Sequence, residues 1–189
     1  MNKYILTIIG LACLVALFLV VRDDNQNDNK NENPTAEQRQ IRRVDFSKVN
    51  STYGFSGEIS LDWRVEYIGE TGALNIYDPS EVGVNNLERS QIFIRNFKAN
   101  SFLTLPTVNI LNRQETTVGD HQAVRYEIEK KDIVPNFSGQ PLWRSARHKL
   151  IDIRSSNESP TVFYVIAANP ELDSSVFEDF IAGLIFYSD

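Results

Sequence analysis

Two histidines are the side chains of this sequence best suited to acid–base chemistry, because histidine titrates near neutral pH. His121 follows Gly119 and Asp120, a pair typical of a tight turn between strands, which predicts a solvated turn histidine. Ser145 and His148 lie three residues apart on a predicted strand, so they point to opposite faces and form no local nucleophile–base pair. The sequence therefore favours a protein that is not an enzyme, with a hydrolase whose site is dispersed as the weakest alternative.

Metal and cofactor motifs are equally absent from the sequence. The two histidines have no cysteine beside them, so no zinc spacing exists, and there is no Gly-rich phosphate loop or G-x-S-x-G elbow. The acidic residues between 23 and 28 lack the frame of a calcium loop. We expect no catalytic residues, no metal and no cofactor.

The best candidate for a partner-binding surface is the segment from Lys130 to Arg154. It contains a long connection with two aromatic side chains, followed by a concentration of basic residues in an otherwise acidic chain. Aromatic side chains beside arginines are typical of binding hot spots. The candidate contact residues are Phe137, Trp143, Arg144, Arg147 and His148. In the alternative interpretation Trp143 folds back over the core, and the charges form a solvated strand face.

Charge excludes one class of partner. The formal net charge of the 189 residues is -6, so the chain has no electrostatic reason to follow a phosphate backbone. We therefore expect no nucleic acid among its partners.

The N-terminal segment predicts a membrane anchor. Tyr4 to Val21 is an uncharged apolar run, which would form a helix of ~27 Å, close to the hydrocarbon thickness of a bilayer. A cleaved signal peptide and a lipoprotein signal cut before Cys13, the single cysteine, are the alternatives. Arg22, Asp23 and Asp24 follow directly, without a small-x-small cleavage site, which favours an uncleaved single-pass signal anchor over residues 1–21.

Residues 22–43 predict a linker. Asparagine and charged residues dominate this stretch, and such a composition buries too little apolar surface to fold, which predicts a disordered polar tether. We expect the domain over 44–189 to face the periplasm or the cell exterior, where its partners would be envelope proteins.

From Val44 onward, short β-rich segments alternate with turn residues, and their spacing favours antiparallel pairing. The predicted strands are Tyr53–Ser60, Trp63–Gly69, Ala73–Tyr77, Gln91–Lys98, Glu115–Val118, Gln122–Lys130, Ser145–Arg154 and Thr161–Ala167. The clearest helix follows a cap at 173–175 and carries an apolar stripe from Val176 to Leu184, and weaker helices are predicted near Ser47 and over Pro106–Leu111. This pattern predicts an α+β domain, an antiparallel sheet flanked by helices.

The stretch YGFSGEISLDWRV, which begins at Tyr53, resembles the opening hairpin of PsbP-like domains, the fold of PsbP and the Mog-type proteins. Tyr53, Phe55 and Ile59 share the inward face of its strand, and Trp63 is predicted to be buried. The resemblance continues through TTVGDHQAVRYEIE and FEDFIAGLIF. It implies an α/β/α sandwich, no cofactor, and function through binding other proteins.

Taken with the anchor, this resemblance predicts a membrane-anchored extracytoplasmic PsbP-like domain that acts as a non-catalytic interaction or accessory module. The alternative is a carrier that holds a small apolar ligand or lipid between sheet and helix.

Overall fold

Antiparallel strands dominate the structure, a computed structural model that describes residues 40–82, 85–103, 105–156 and 160–187. The strands are β1 Ile41–Asp45, β2 Phe55–Ser60, β3 Arg64–Ile68, β4 Ala73–Tyr77, β5 Ser90–Ala99, β6 Val108–Val118, β7 His121–Lys130, β8 His148–Arg154, β9 Thr161–Ala168 and β10 Ile185–Phe186. Within the described ranges one α-helix, α1 Ser174–Ala182, accompanies two short 3-10 turns, Phe46–Lys48 and Leu142–Ser145.

The strands form two antiparallel sheets. The larger has seven strands in the order β3-β4-β5-β9-β8-β7-β6, and the smaller has three in the order β1-β2-β10. Short turns join β3 to β4 and β6 to β7, and in the second of them Gly119 adopts a φ of +55° that a side chain would disfavour. The predicted antiparallel α+β architecture is confirmed.

Because side chains alternate along a strand, the seven-stranded sheet presents two faces. The first face contributes to the larger apolar cluster through Leu74, Ile76, Ile92, Ile94, Ile151, Ile153 and Ile166. The second face carries a smaller cluster with Val124, Tyr126, Ile128, Leu150, Val165 and Ala167. Both faces are therefore buried against other parts of the domain.

Regular elements cover the first face. Helix α1 begins after Asp173, whose carboxylate accepts a hydrogen bond from the Ser175 backbone N–H at 2.7 Å and so caps the helix. The predicted stripe, Val176, Phe177, Phe180 and Ile181, is buried in the same cluster as the small sheet. The prediction of this helix is confirmed.

The small sheet adds aromatic rings to this cluster. Phe55 is fully buried, with ring centroids 5.1 Å from Phe46, 4.8 Å from Tyr164 and 5.5 Å from Phe186. The Tyr53 hydroxyl donates to the Gly72 carbonyl at 2.7 Å, which satisfies its buried polar atom. The inward face predicted for the opening strand is confirmed.

Two more residues of the segment that begins at Tyr53, Gly57 and Trp63, are also packed inside the domain. A Cβ built at Gly57 would lie 3.1 Å from Leu184 Cδ2 and 3.2 Å from ring carbons of Phe180 and Phe46, so close packing explains the glycine. Trp63, just before β3, is 8% exposed, as predicted.

The second face corrects the predicted α/β/α sandwich. In the part of the chain that the structure describes, no α-helix lies on that face, and irregular connections with Phe102, Leu103, Leu105 and Trp143 cover it instead. The helix predicted over Pro106–Leu111 is also wrong, because Val108 begins the longest strand, β6. The weak helix near Ser47 is a single 3-10 turn.

The N-terminal predictions fall mostly outside the described residues. This applies to the anchor over 1–21 and to the linker as far as residue 39. The linker does not extend to 43, because Ile41–Asp45 forms β1 and pairs with β2. Among the helices of the described ranges, none combines the length and apolarity needed to cross a bilayer.

Candidate functional site

The connection between β7 and β8 crosses the second face and carries most of the predicted contact residues. Trp143 lies in its 3-10 turn, and its indole Nε1 donates to the Ser90 carbonyl oxygen at 3.0 Å. Its ring meets His148 edge to face, with centroids 5.5 Å apart. Trp143 therefore folds back over the core, as the alternative interpretation held.

Arg144 is buried beside Trp143. The side chain is 9% exposed, its Nη1 donates to Gln140 Oε1 at 2.7 Å, and its guanidinium carbon lies 5.6 Å from the centre of the Phe93 ring. Its Nε finds no hydrogen-bond partner among the described residues. Burial, together with the positive charge of Arg95, lowers the pKa of Arg144 to about 10, so the side chain remains a cation at neutral pH.

A cavity of about 250 Å³ adjoins Arg144. Most of its walls are apolar, and a few polar side chains, two of them arginines, complete them. The lining residues are Arg95, Asn96, Phe97, Leu103, Leu105, Thr107, Val108, Ile128, Phe137, Gln140, Arg144, Leu150 and Val165. Phe137 and Arg144 are the two predicted contact residues that this cavity brings together.

His148 is buried as an uncharged side chain. It is 3% exposed, its Nδ1 lies 2.8 Å from the Ala146 carbonyl oxygen, and its Nε2 has no partner among the described residues. Burial lowers the pKa of His148 to about 4. This corrects the expectation that His148 belongs to an exposed basic surface.

Asp152 adds a second ionisable group to the same face of β8. The carboxyl is fully buried, and one oxygen accepts the Leu103 backbone N–H at 2.9 Å. Burial raises the pKa of Asp152 to about 6, and the hydrogen bond from Leu103 opposes this shift only in part. Sequence reasoning missed Asp152, since its position in a strand gave no sign that it faces inward.

The remaining predicted contacts stay accessible. The side chain of Arg147 is 63% exposed and its Nε pairs with Glu127 Oε1 at 2.8 Å, while Phe137 is half-buried at the cavity. The most exposed apolar side chains of this connection are instead Ile133 and Leu142, which were not predicted. The five predicted residues therefore do not form one exposed cluster.

Strand β6 offers a different kind of surface. It runs from Val108 to Val118 at the edge of the seven-stranded sheet, and among the described strands it pairs only with β7. Ile110 and Leu111 are 48% and 46% exposed, and most residues between the two ends are exposed as well. An unpaired edge presents a row of backbone N–H and C=O groups to any strand that approaches.

His121 contacts two other strands of the domain. Its Nδ1 lies 3.1 Å from the Arg154 carbonyl oxygen, and its ring centroid is 4.4 Å from that of Phe186. His121 is thus half-buried at the start of β7 and is not the solvated turn residue that was predicted. In the described part of the chain, no group of three histidine, cysteine or acidic side chains is arranged to hold a metal ion.

Comparison with solved structures relates this fold to two others. The chain is similar to the solution structure of cyanobacterial PsbP (CyanoP) from Synechocystis sp. PCC 6803, with 9% sequence identity, a TM-score of 0.48, and coverage of 81% of this chain and 96% of that chain. It is also similar to a crystal structure from Bacteroides thetaiotaomicron VPI-5482, with 13% identity, a TM-score of 0.31, and coverage of 80% of this chain and 50% of that chain.

No family model matches the sequence, and no curated protein matches it. At these identities structural similarity concerns the fold alone.

Proposed function

We propose that this domain is a non-catalytic interaction module that binds another protein by strand addition at the free edge of β6. The observation that carries the proposal is the long edge strand with Ile110 and Leu111 exposed on it. An extended segment of the partner pairs with the β6 backbone, and its apolar side chains cover Ile110 and Leu111. Backbone pairing supplies affinity in this mode, and alternate side chains supply specificity.

The rest of β6 fits this role. The exposed pair Arg113–Glu115, with 3.0 Å between Nη1 and Oε1, places charge on the strand and so limits unspecific pairing of the edge. The other edge strand of the seven-stranded sheet, β3, is shorter, with five residues, and it exposes one large apolar side chain, Tyr67. Strand β6 is therefore the better docking site of the two edges.

Photo-crosslinking in intact cells tests the proposal. A photoreactive amino acid in place of Gln114 should give a covalent adduct with one reproducible protein, and Leu111→Lys should abolish that adduct. Tyr67→Lys changes a similarly exposed residue on the opposite edge of the seven-stranded sheet and should leave the adduct intact. In the purified complex, the β6 amides should exchange hydrogen more slowly than in the free chain. An adduct with a second copy of this chain, or one that survives Leu111→Lys, would contradict the proposal.

We also propose that the domain is held at the outer side of a cell membrane by residues 1–21, where its partners are envelope proteins. The uncharged run Tyr4 to Val21 and the polar stretch after it support this placement. The full chain should fractionate with membranes, and deletion of residues 4–21 should release it. Protease added outside intact cells or spheroplasts should degrade the domain, and protection from that protease would overturn the orientation.

A further inference from the structure

We propose that the cavity on the second face binds a medium-length aliphatic carboxylate, with its head group at Arg144 and Arg95 and its chain along the apolar wall. This site is separate from β6, so the inference goes beyond strand addition. It differs in position from the carrier that the sequence offered as an alternative, because this cavity lies on the second face, whereas helix α1 packs with Phe177 and Phe180 in the cluster of the first face.

The charge of the cavity selects an anion. Arg144 and Arg95 both line it, and within the described ranges no carboxylate forms an ion pair with either. The two positive charges are close enough to act on each other, and Arg144 is largely cut off from water. Burying an unpaired charge is unfavourable, so a bound anion would relieve both the burial and the repulsion.

A carboxylate suits the donors available at Arg144. The guanidinium is a planar fork that matches the two oxygens of a carboxylate, and among the described residues its one hydrogen bond is from Nη1 to Gln140. Nη1 donates to Gln140 Oε1 at 2.7 Å, and the guanidinium carbon lies over the Phe93 ring, 5.6 Å from its centre, so the side chain is already held in place for an incoming head group.

The walls select an aliphatic chain. Beyond the polar side chains, the cavity is lined by Phe97, Leu103, Leu105, Ile128 and Val165, with Phe137, Val108 and Leu150. A peptide with a free C-terminus would also bring backbone amides, which these apolar walls could not satisfy. At about 30 Å³ per water molecule, the cavity has the volume of roughly eight waters, which suits a single short to medium chain.

Calorimetric titration of the full chain with decanoate tests this inference. Decanoate should bind, and methyl decanoate, which lacks the charge, should bind at least about tenfold more weakly. From hexanoate to octanoate the affinity should rise by roughly fourfold for each methylene, as expected for burial of the chain. High salt should weaken decanoate binding less than it weakens a fully exposed ion pair, because one of the two cations at the head group, Arg144, is buried.

Arginine variants separate the head-group site from general adsorption. Arg144→Gln and, independently, Arg95→Gln should each lower the affinity for decanoate about tenfold or more. Arg95 is exposed, so its variant keeps the test valid even if Arg144→Gln fails to fold. Arg147→Gln, on the same connection but outside the cavity, should leave the affinity unchanged.

The inference would be overturned by no binding of decanoate, by equal binding of decanoate and its methyl ester, or by equal losses of affinity with Arg95→Gln and Arg147→Gln. Binding of an apolar peptide carboxylate in preference to decanoate would overturn it too. Leu111→Lys on β6 should not change decanoate binding, so failure at this cavity and failure of strand addition at β6 remain distinguishable.

Discussion

The two faces of the seven-stranded sheet are built from the same strands, yet they are closed in different ways. The first face is covered by α1 and the small sheet, with aromatic rings in direct contact. The second is covered by irregular connections, and it contains the buried side chains of Arg144, His148 and Asp152 beside a cavity. Regular elements bring continuous apolar stripes, whereas connections bring polar groups and leave gaps, so we expect stability to come mainly from the first face and small-ligand binding from the second.

Removal of one ring from the first face should have the largest effect. Phe55→Ala deletes a fully buried ring that touches Phe46, Tyr164 and Phe186, and should lower the free energy of unfolding by about 3–5 kcal/mol. Phe137→Ala, at the cavity of the second face, should cost less, about 1 kcal/mol, because the Phe137 ring is only half-buried. Urea unfolding measures the free energy of unfolding of both variants. Equal losses would contradict the expectation that the first face contributes more to stability than the second.

The pH dependence of stability should reveal the ionisable groups of the second face. Because the pKa of Asp152 is raised to about 6 from 3.8, the native state keeps its proton longer than the unfolded chain, and the free energy of unfolding falls as pH rises from about 4 to 6. Because the pKa of His148 is lowered to about 4 from 6.5, the unfolded chain takes up the extra proton, and the free energy of unfolding rises over nearly the same range. The two slopes should largely cancel in the natural chain.

Single variants should expose each slope. Asp152→Asn leaves the histidine alone, so the free energy of unfolding should rise by up to roughly 3 kcal/mol between pH 4 and 6.5. In His148→Gln the free energy of unfolding should instead fall by a similar amount between pH 4 and 6. Denaturation at a series of pH values measures the free energy of unfolding of both variants. If this free energy did not change with pH in Asp152→Asn, the lowered pKa of His148 would be contradicted.

Close packing of the first face is tested at Gly57. Gly57→Ala places a Cβ within 3.2 Å of Phe46, Phe180 and Leu184, so the rings must shift, and the free energy of unfolding should fall by about 1–3 kcal/mol. Gly69→Ala is the matched control, because a Cβ there meets nothing within 4 Å. Thermal or urea unfolding compares the two, and a stable Gly57→Ala variant would indicate that the first face has room to adjust.

The smallest effect is expected for the indole hydrogen bond of the second face. Trp143→Phe removes the bond from Nε1 to the Ser90 carbonyl, which also accepts Asn169 Nδ2 at 2.9 Å and so stays partly satisfied. The expected cost is about 0.5–1.5 kcal/mol in the free energy of unfolding. A loss above about 3 kcal/mol would mean that Trp143 packs as heavily as the rings of the first face.

Local patterns in the sequence predicted the first face better than the second. Alternation along Tyr53, Phe55 and Ile59 and the helical stripe after Asp173 are local signals, and both elements form as expected. Strand β1 was missed, because Arg42 and Arg43 interrupt its apolar residues. The start of β6 was assigned to a helix, because its exposed apolar residues do not alternate cleanly.

The candidate site was predicted less well, for a physical reason. The position of Trp143 depends on an acceptor at Ser90, which is 53 residues away along the chain. The burial of Arg144 likewise depends on Phe93 of β5, which no local pattern reveals. Basic and aromatic residues in a connection indicate binding in general, but long-range contacts decide which of them remain exposed.

The pairing of β10 with β2 has a consequence for how the domain is assembled during synthesis. Ile185 pairs with Ser56 and Phe186 with Phe55, so the small sheet joins residues about 130 positions apart. Most strand pairs of the seven-stranded sheet join strands that follow one another along the chain, as β3 and β4 or β6 and β7 do, whereas the pairing of β10 with β2 closes a loop that spans most of the domain. A nascent chain can thus form the hairpins as they leave the ribosome, but β2 and its phenylalanine remain uncovered on one side until β10 has been made.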